Sequence, residues 1–424
     1  MPRAEHGVSR DDISDNALKV LYRLHNAGYQ AYLVGGCVRD ILLGHKPKDF
    51  DVTTNAEPEQ VKELFRNCRL IGRRFRLAHI MFGREIIEVA TFRGHHQEEG
   101  KLSQQSDHGQ ILRDNVFGSI QEDAERRDFT INAMYYNIAD FSISDFADGI
   151  GAIAAREIAM IGDPKVRFKE DPVRMLRAVR FAVKLDMHIA EATAKPIKEL
   201  SSLLNNIPAA RLFEEVLKLF MAGKAFDTLN MLQQYHLLEP LFPRLSQMLR
   251  EANSKEAAFI EQVMRNTDER INNDQRVTPA FIYAALMWYP LEERCHTLMT
   301  EGGLNHFDAY NIAIGDILGE QTKRIMIPKR FTTVIRDIWQ LQQRLPKRFG
   351  RRAYQMLDHP KFRAAYDFLL VRAHAEGGDL QELADWWTEF QEASVEERKT
   401  MVDKLRDTEG GPKRKRRFRS KKKA

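Results

Sequence analysis

The sequence predicts an α+β head with a mixed sheet, followed by an all-helical neck and body and a disordered basic C-terminal tail. Three observations predict this order. Through about residue 140, short apolar runs suited to strands interleave with helical periodicities. From about Asp171 onward the strand signals disappear, and apolar residues recur at helical spacing between Pro, Gly and Asn. Residues 413–423, KRKRRFRSKKK, carry nine Lys/Arg and no acid. The expected divisions are a head at 1–150, a neck at 151–220, a body at 221–405 and a tail at 406–424.

The elements follow in order. Residues 14–27 place Leu18, Leu21 and Leu24 on a helical period, and Gly28 stops it. Residues 31–34 form a short apolar strand, Gly35-Gly36 a turn, and 38–43 a short helix stopped by Gly44. Residues 50–53 read as a strand, and 57–65 as a helix with Pro58 in its first turn. Two strand-like runs, 76–82 and 85–91, flank Gly83-Arg84 as a hairpin. Residues 94–110 are polar. The helices expected beyond are 172–185, 209–222, 280–287, 331–343 and 380–390, with no fixed-period repeat.

Composition narrows the function classes. The 424 residues are 43% hydrophobic and 29% charged, enough for a sizeable core and a solvated surface. No run approaches the roughly 18–20 apolar residues of a bilayer span, and residues 1–14 lack the apolar stretch of a secretory signal. Three well-separated cysteines, Cys37, Cys68 and Cys295, offer neither a disulfide framework nor a cysteine zinc site. A cytoplasmic protein is expected. The net charge of +5 becomes −4 once the nine cations of 413–423 are set aside, so basic surfaces in the rest are local. A like-charged segment with almost nothing apolar to bury stays disordered until it meets a polyanion, and nucleic acid is the expected partner.

The chemistry concentrates in LVGGCVRDILLG, residues 33–44, and the following Asp49-Phe50-Asp51. Glycines between a strand and a helix let a phosphate approach the backbone, where free N–H groups and a positive dipole end await it. Arg39, one turn into the helix, is a charged fork for a triphosphate. A Gly-Gly turn also serves simple close packing. Asp49 and Asp51, two apart on an expected strand, share one face, where two carboxylates can bracket a pair of Mg²⁺ ions for in-line phosphoryl transfer. A third carboxylate is expected nearby. Glu88, among apolar strand neighbours, is one candidate; Asp128, beside Arg126 and Arg127, is the other. Glu170-Asp171-Pro172 opens a helix that carries Arg174, Arg177 and Arg180 as a stripe at intervals of three. An Asp acceptor and an Arg donor one turn apart suit a base's hydrogen-bonding edge. His95, His96 and His108 have no metal-site spacing, and the aromatics Phe362, Tyr366, Phe368, Trp386 and Trp387 read as helical core.

Together, GGCVRDILLG, DFDVTT, RRDFTINA and EDPVRMLRAVRF resemble the class II nucleotidyltransferases, which add nucleotides to RNA 3′ ends without a template. The resemblance spans roughly residues 30–220. That group contains tRNA CCA-adding enzymes and bacterial poly(A) polymerases. LIGRRFRLAHI, residues 70–80, resembles the signature of the poly(A) polymerase branch, whose members also carry a basic tail. The resemblance implies ATP as substrate, RNA 3′ ends of weak sequence preference as partner, and tails that promote decay alongside RNA-decay proteins. It implies that Gly35, Gly36 and Arg39 hold the triphosphate and that Asp49 and Asp51 bind the metals. Asp128 would be catalytic, with Arg127 on the nucleotide. Asp171 and Arg174 would read the base, with Arg177 and Arg180 continuing the helix. A CCA-adding enzyme is the closest alternative, and a non-catalytic RNA-binding protein on the same scaffold a remote one.

Overall fold

The computed structural model describes residues 1–72, 76–94, 103–105, 111–114, 116–251 and 254–408. The expected tail beyond residue 408, and His95, His96 and His108, lie outside them. The chain divides into two compact units. One comprises 1–207 with 227–240, and the other 208–226 with the residues from 241 onward. Head and most of the expected neck therefore form one unit.

The first unit is built on a seven-stranded mixed sheet. Its strands are β1 (Ala31–Val34), β2 (Asp51–Thr54), β3 (Cys68–Ile71), β4 (Leu77–Phe82) and β5 (Glu85–Thr91). After the small hairpin β6 (Ser103–Gln105) and β7 (Ile111–Asp114), which stands apart, come β8 (Met134–Asn137) and β9 (Ile143–Asp145). The order is β3-β4-β5-β2-β1-β8-β9. β2 and β5 run parallel, and the other neighbouring pairs are antiparallel. Helix α1 (Asp15–Asn26), capped by Ser14, buries Ala17, Val20, Leu21 and Leu24. These join Leu33, Val52, Ile80, Ile87 and Val89 in one core. Helices α2 (Gly36–Leu42) and α3 (Pro58–Leu64) follow β1 and β2.

Helix α4 (Ile120–Glu125) leads to a short 3₁₀ turn, Thr130–Asn132. Then come α5 (Gly149–Ala155), α6 (Pro164–Glu170), α7 (Val173–Leu185) and α8 (Glu191–Leu200). One difference from expectation lies here. A two-residue strand, β11 (His188–Ile189), lies beyond Asp171 and pairs in parallel with β10 (Glu157–Ile158). Two residues carry no alternation for a sequence pattern to reveal.

The second unit is helical throughout its described residues, starting with α9 (Ala209–Phe220). Phe362, Tyr366 and Phe368 are at most 5% exposed and Trp387 is fully buried. The Trp387 indole N–H donates to the Leu345 carbonyl at 3.1 Å. These aromatics are core, as the sequence pattern indicates. No helix among the described residues is long and apolar enough to cross a membrane.

Candidate active site

The site begins where the sheet brings three strands level. Val34, the last residue of β1, is the register partner of Asp51, the first of β2. Asp51 pairs in parallel with Glu88 on β5. The chain leaves β1 through Gly35-Gly36, so this turn lies beside Asp51. Gly35 has φ +77° and ψ −128°, a conformation that a side chain would strain. Helix α2 has only seven residues, so its dipole is a modest attraction for an anion beside the full charges nearby.

Asp49 lies ahead of the strand and not on it, since neither the β1 nor the β5 ladder includes a residue before Asp51. It is nonetheless near enough to act on Asp51. Asp51 is exposed as a residue, yet the protein around its carboxyl still desolvates that group. Its carboxyl is pushed up to about 6, chiefly by burial and then by Glu88 and Asp49, against an opposing pull from Arg127. Glu88 Oε1 lies 3.1 Å from His79 Nε2 across the β4–β5 pair, without the alignment of a hydrogen bond.

A second group surrounds Asp128. Its Oδ1 accepts the Phe129 N–H at 2.8 Å and the Asn132 amide at 3.1 Å. Its Oδ2 lies 2.6 Å from both Nε and Nη2 of Arg177. Burial alone would raise this carboxyl; the Arg177 charge and the bonds from Asn132, Phe129 and Arg177 outweigh it and hold it at about 2. Asn132 also accepts Arg39 Nη1 on its Oδ1 at 2.6 Å. Arg39, 2% exposed, donates Nε and Nη2 to Asp40 at 2.9 and 2.6 Å. One amide thus joins the arginine of α2 to the Asp128–Arg177 pair.

Arg127 stands behind the glycine turn, where a Cβ on Gly35 would meet its Nη1 at 3.5 Å. Its Nε donates to Tyr135 Oη at 2.9 Å and its Nη2 to Asp123 at 3.1 Å. Burial disfavours its charge, but Asp123 and Tyr135 raise its pKa overall. Asp171 accepts the Val173 N–H at 3.3 Å, but α7 starts one residue later than expected, so Pro172 and not Asp171 stands at its N-cap. Arg174 Nη1 donates to Glu170 Oε2 at 2.9 Å and to the Arg167 carbonyl at 2.8 Å. Arg167 donates to the same Glu170 oxygen at 2.7 Å and, through Nη2, to the carbonyls of Arg126 and Arg127 at 2.6 and 2.7 Å. Burial and neighbouring guanidinium groups lower both Arg126 and Arg167 to about 10.

Residues 31–159 match the poly A polymerase head domain, 186–249 the probable RNA and SrmB-binding site of polymerase A, and 302–422 the polymerase A arginine-rich C-terminus. The chain is 56% identical over 421 residues to poly(A) polymerase I of Salmonella typhimurium, covering 98% of this chain and 90% of that protein. The chain belongs to the poly(A) polymerase I family. Likeness to the CCA-adding enzyme of Lactobacillus helveticus is 39% over 209 residues, 49% of this chain and 50% of that one. The fold is also that of the Thermotoga maritima CCA-adding enzyme solved with tRNA. The TM-score is 0.61 at 20% identity, over 89% of this chain and 83% of that one.

All twelve residues singled out in the sequence fall in the first compact unit of this poly(A) polymerase family member. Seven of them form two groups, and Gly35, Gly36, Arg127, Asp171 and Arg174 belong to neither. Asp49, Asp51 and Glu88 gather at the strand edge. Arg39, Asp128, Arg177 and Arg180 gather around Asn132 and Phe181. Sequence reasoning misses Asn132, Arg167, Glu170 and Asp123, although Asn132 and Glu170 lie inside the RRDFTINA and EDPVRMLRAVRF motifs. They touch other side chains of the site, and a sequence records no such partnership.

Proposed function

We propose that this chain adds adenylate from ATP to RNA 3′ ends without a template: the 3′-hydroxyl attacks the α-phosphate and diphosphate leaves. The observation that carries ATP over the CCA alternative is the reach of the likeness. Sequence kinship with poly(A) polymerases runs through 98% of the chain, including its arginine-rich end, whereas the sequence likeness to a CCA-adding enzyme stops at about half. Intact carboxylates at the strand edge disfavour a non-catalytic RNA binder.

The residues present fit magnesium. Asp51 is raised by burial and by two like charges, the state of a carboxylate short of a cation. Among the described residues, no three His, Cys, Asp or Glu side chains make a metal cage. Mg²⁺ is commonly held by one or two carboxylates together with substrate phosphates, so an open edge suits it. Asp49 and Asp51 would hold it, with Glu88, the candidate third carboxylate, adding negative charge beside Asp51. Bound there, Mg²⁺ supplies Lewis-acid stabilisation of the reacting phosphate and activation of the hydroxyl. Arg39, Arg177 and Arg180 hold the triphosphate beside Gly35 and Gly36, and Arg127 steadies the turn. Asp128 sets Arg177 and, through Asn132, Arg39. Asp171 and Arg174 face the base; with Nη1 occupied, Arg174 still has Nε and Nη2 to donate.

The helical unit and the basic tail bind the RNA backbone, which gives affinity without sequence preference. RNA-decay proteins are the expected protein partners. Three free, buried cysteines suit a reducing cytoplasm. The deciding experiment incubates a generic RNA, and separately a tRNA lacking its CCA end, with each nucleotide alone. Long tails from ATP on the generic RNA are expected. Short additions confined to tRNA would overturn the assignment.

A further inference from the structure

Phe181 on α7 is 8% exposed and packs edge-to-face on Phe129, with ring centres 5.8 Å apart. Three guanidinium groups lie over its ring. Arg39 arrives from α2 at 5.3 Å, and Arg177 and Arg180 from α7 at 5.2 and 4.9 Å. Lys184 adds charge to the same neighbourhood. Its ammonium lies 3.9 Å from Asp40, and burial, Arg39 and Arg180 together depress its pKa. Cations gathered this closely repel one another. Asp40 and Asp128 offset part of that repulsion at Arg39 and Arg177. The negative face of the aromatic ring attracts all three guanidinium groups without neutralising any of them.

That distinction matters where the guest is a polyanion. A further carboxylate would hold the arginines as firmly but would cancel charge that a triphosphate requires. We propose that Phe181 is a positioning residue: its ring preassembles Arg39, Arg177 and Arg180 into a cationic cradle whose charge is kept for the triphosphate of the incoming nucleotide. The inference rests on the reading of this site as the triphosphate site and adds the residue that keeps it organised before the nucleotide arrives.

The test replaces Phe181 in the full-length protein with a trifluorinated phenylalanine, which keeps the size and shape of the ring but removes its negative face. F181L and F181Y are made alongside. Inhibition by inorganic triphosphate and the KM and kcat for ATP are measured, with melting temperature as a check on packing. The fluorinated ring and F181L should weaken triphosphate inhibition and raise the KM roughly tenfold, about the value of one desolvated cation–π contact. Their kcat should change little, and F181Y should restore wild-type behaviour. Arg39→Ala separates the triphosphate site from the role of Phe181 within it. If it leaves triphosphate inhibition unchanged, the triphosphate reading fails and this proposal falls with it. If it weakens inhibition while the fluorinated enzyme behaves as wild type, the role of Phe181 alone is overturned. Both outcomes hold even where F181L fails to fold, because the isosteric ring decides between them.

Discussion

Asp51 and Asp128 are the same side chain in the same compact unit, and their surroundings drive them in opposite directions. Asp51 sits at a strand edge with Glu88 beside it in register and Asp49 nearby, and its carboxyl is pushed up to about 6. Asp128 meets Arg177, Asn132 and a backbone N–H, and is held at about 2. At the first carboxylate the pull of Arg127 is outweighed by burial and like charge, whereas at the second positive charge and hydrogen bonds win. This difference sorts the acids of the site. A cation binds where negative charge is uncompensated, so the proposed metal edge is the one that carries Asp49 and Asp51, with Glu88 beside them. The proposed role of Asp128 is to orient Arg177, which it contacts directly, and Arg39 through Asn132.

The largest expected effect tests the uncompensated side. Asp51→Asn should lower turnover by on the order of 10³-fold or more, because a metal's charge stabilisation amounts to several kcal/mol. RNA affinity should change little. The same variant should melt higher than the wild type in metal-free buffer at pH 8. A raised native pKa means that ionisation costs the folded state stability as pH rises through about 6, so the gain should fade toward pH 4. Turnover within tenfold of wild type would remove Asp51 from the reaction. Next comes Glu88→Gln. Loss of that charge should bring the Asp51 carboxyl down toward the ordinary range and weaken the Mg²⁺ dependence of activity. If Glu88→Gln is mild while Asp128→Asn abolishes Mg²⁺ dependence, the two acids have been assigned the wrong way round.

Asp128→Asn tests the compensated side. A carboxyl depressed to about 2 contributes stability that is fully present above the usual carboxylate range and is lost as pH falls toward 2. The variant should therefore be less stable by about 2 kcal/mol at pH 7, with the difference closing in acid. Its activity loss should appear mainly in the KM for ATP, since Arg177 and, through Asn132, Arg39 lose their orientation. Denaturant unfolding at pH 7 and pH 3 reads the first effect. An equal deficit at both would mean that the carboxylate charge is not what stabilises.

Much of this is legible in the sequence, for reasons tied to particular residues. Strands β1, β2, β4 and β5 announce themselves through apolar runs ended by Gly35, Gly83 and the polar stretch after Thr91. In the helical unit, the expected 209–222 and 280–287 correspond to Ala209–Phe220 and Pro279–Leu286. Pairing across distance is not legible. Nothing local says that Asp51 lies beside Glu88, or that both ladders of the strand begin only at Asp51. The expected one-faced Asp49–Asp51 pair relies on an alternation that the ladder does not extend to residue 49. Asn132 and Arg167 carry no local signal, because their work lies in which atoms they bridge. Arg177 is legible as part of a stripe, but its pairing with Asp128, 49 positions away, is not.

The smallest effect concerns choice among nucleotides, where geometry and not net charge should matter. Arg174 is fixed by Glu170 and the Arg167 carbonyl, and Arg167 is fixed by the same glutamate oxygen. One carboxylate therefore sets the direction in which Arg174 offers its remaining donors. Arg174→Ala should raise the KM for ATP and reduce ATP-over-CTP discrimination roughly tenfold, the scale of a hydrogen bond to a charged group. Glu170→Gln keeps the shape and one acceptor oxygen but gives up the charge. Arg174 then retains its bond to the Arg167 carbonyl, and discrimination should fall only a few-fold, on the order of a neutral hydrogen bond. Competition between ATP and CTP on one RNA reads both ratios directly. If discrimination is unchanged in both variants while their melting temperatures drop, the start of α7 is only a capped, charged helix end, and base selection lies elsewhere in the first unit.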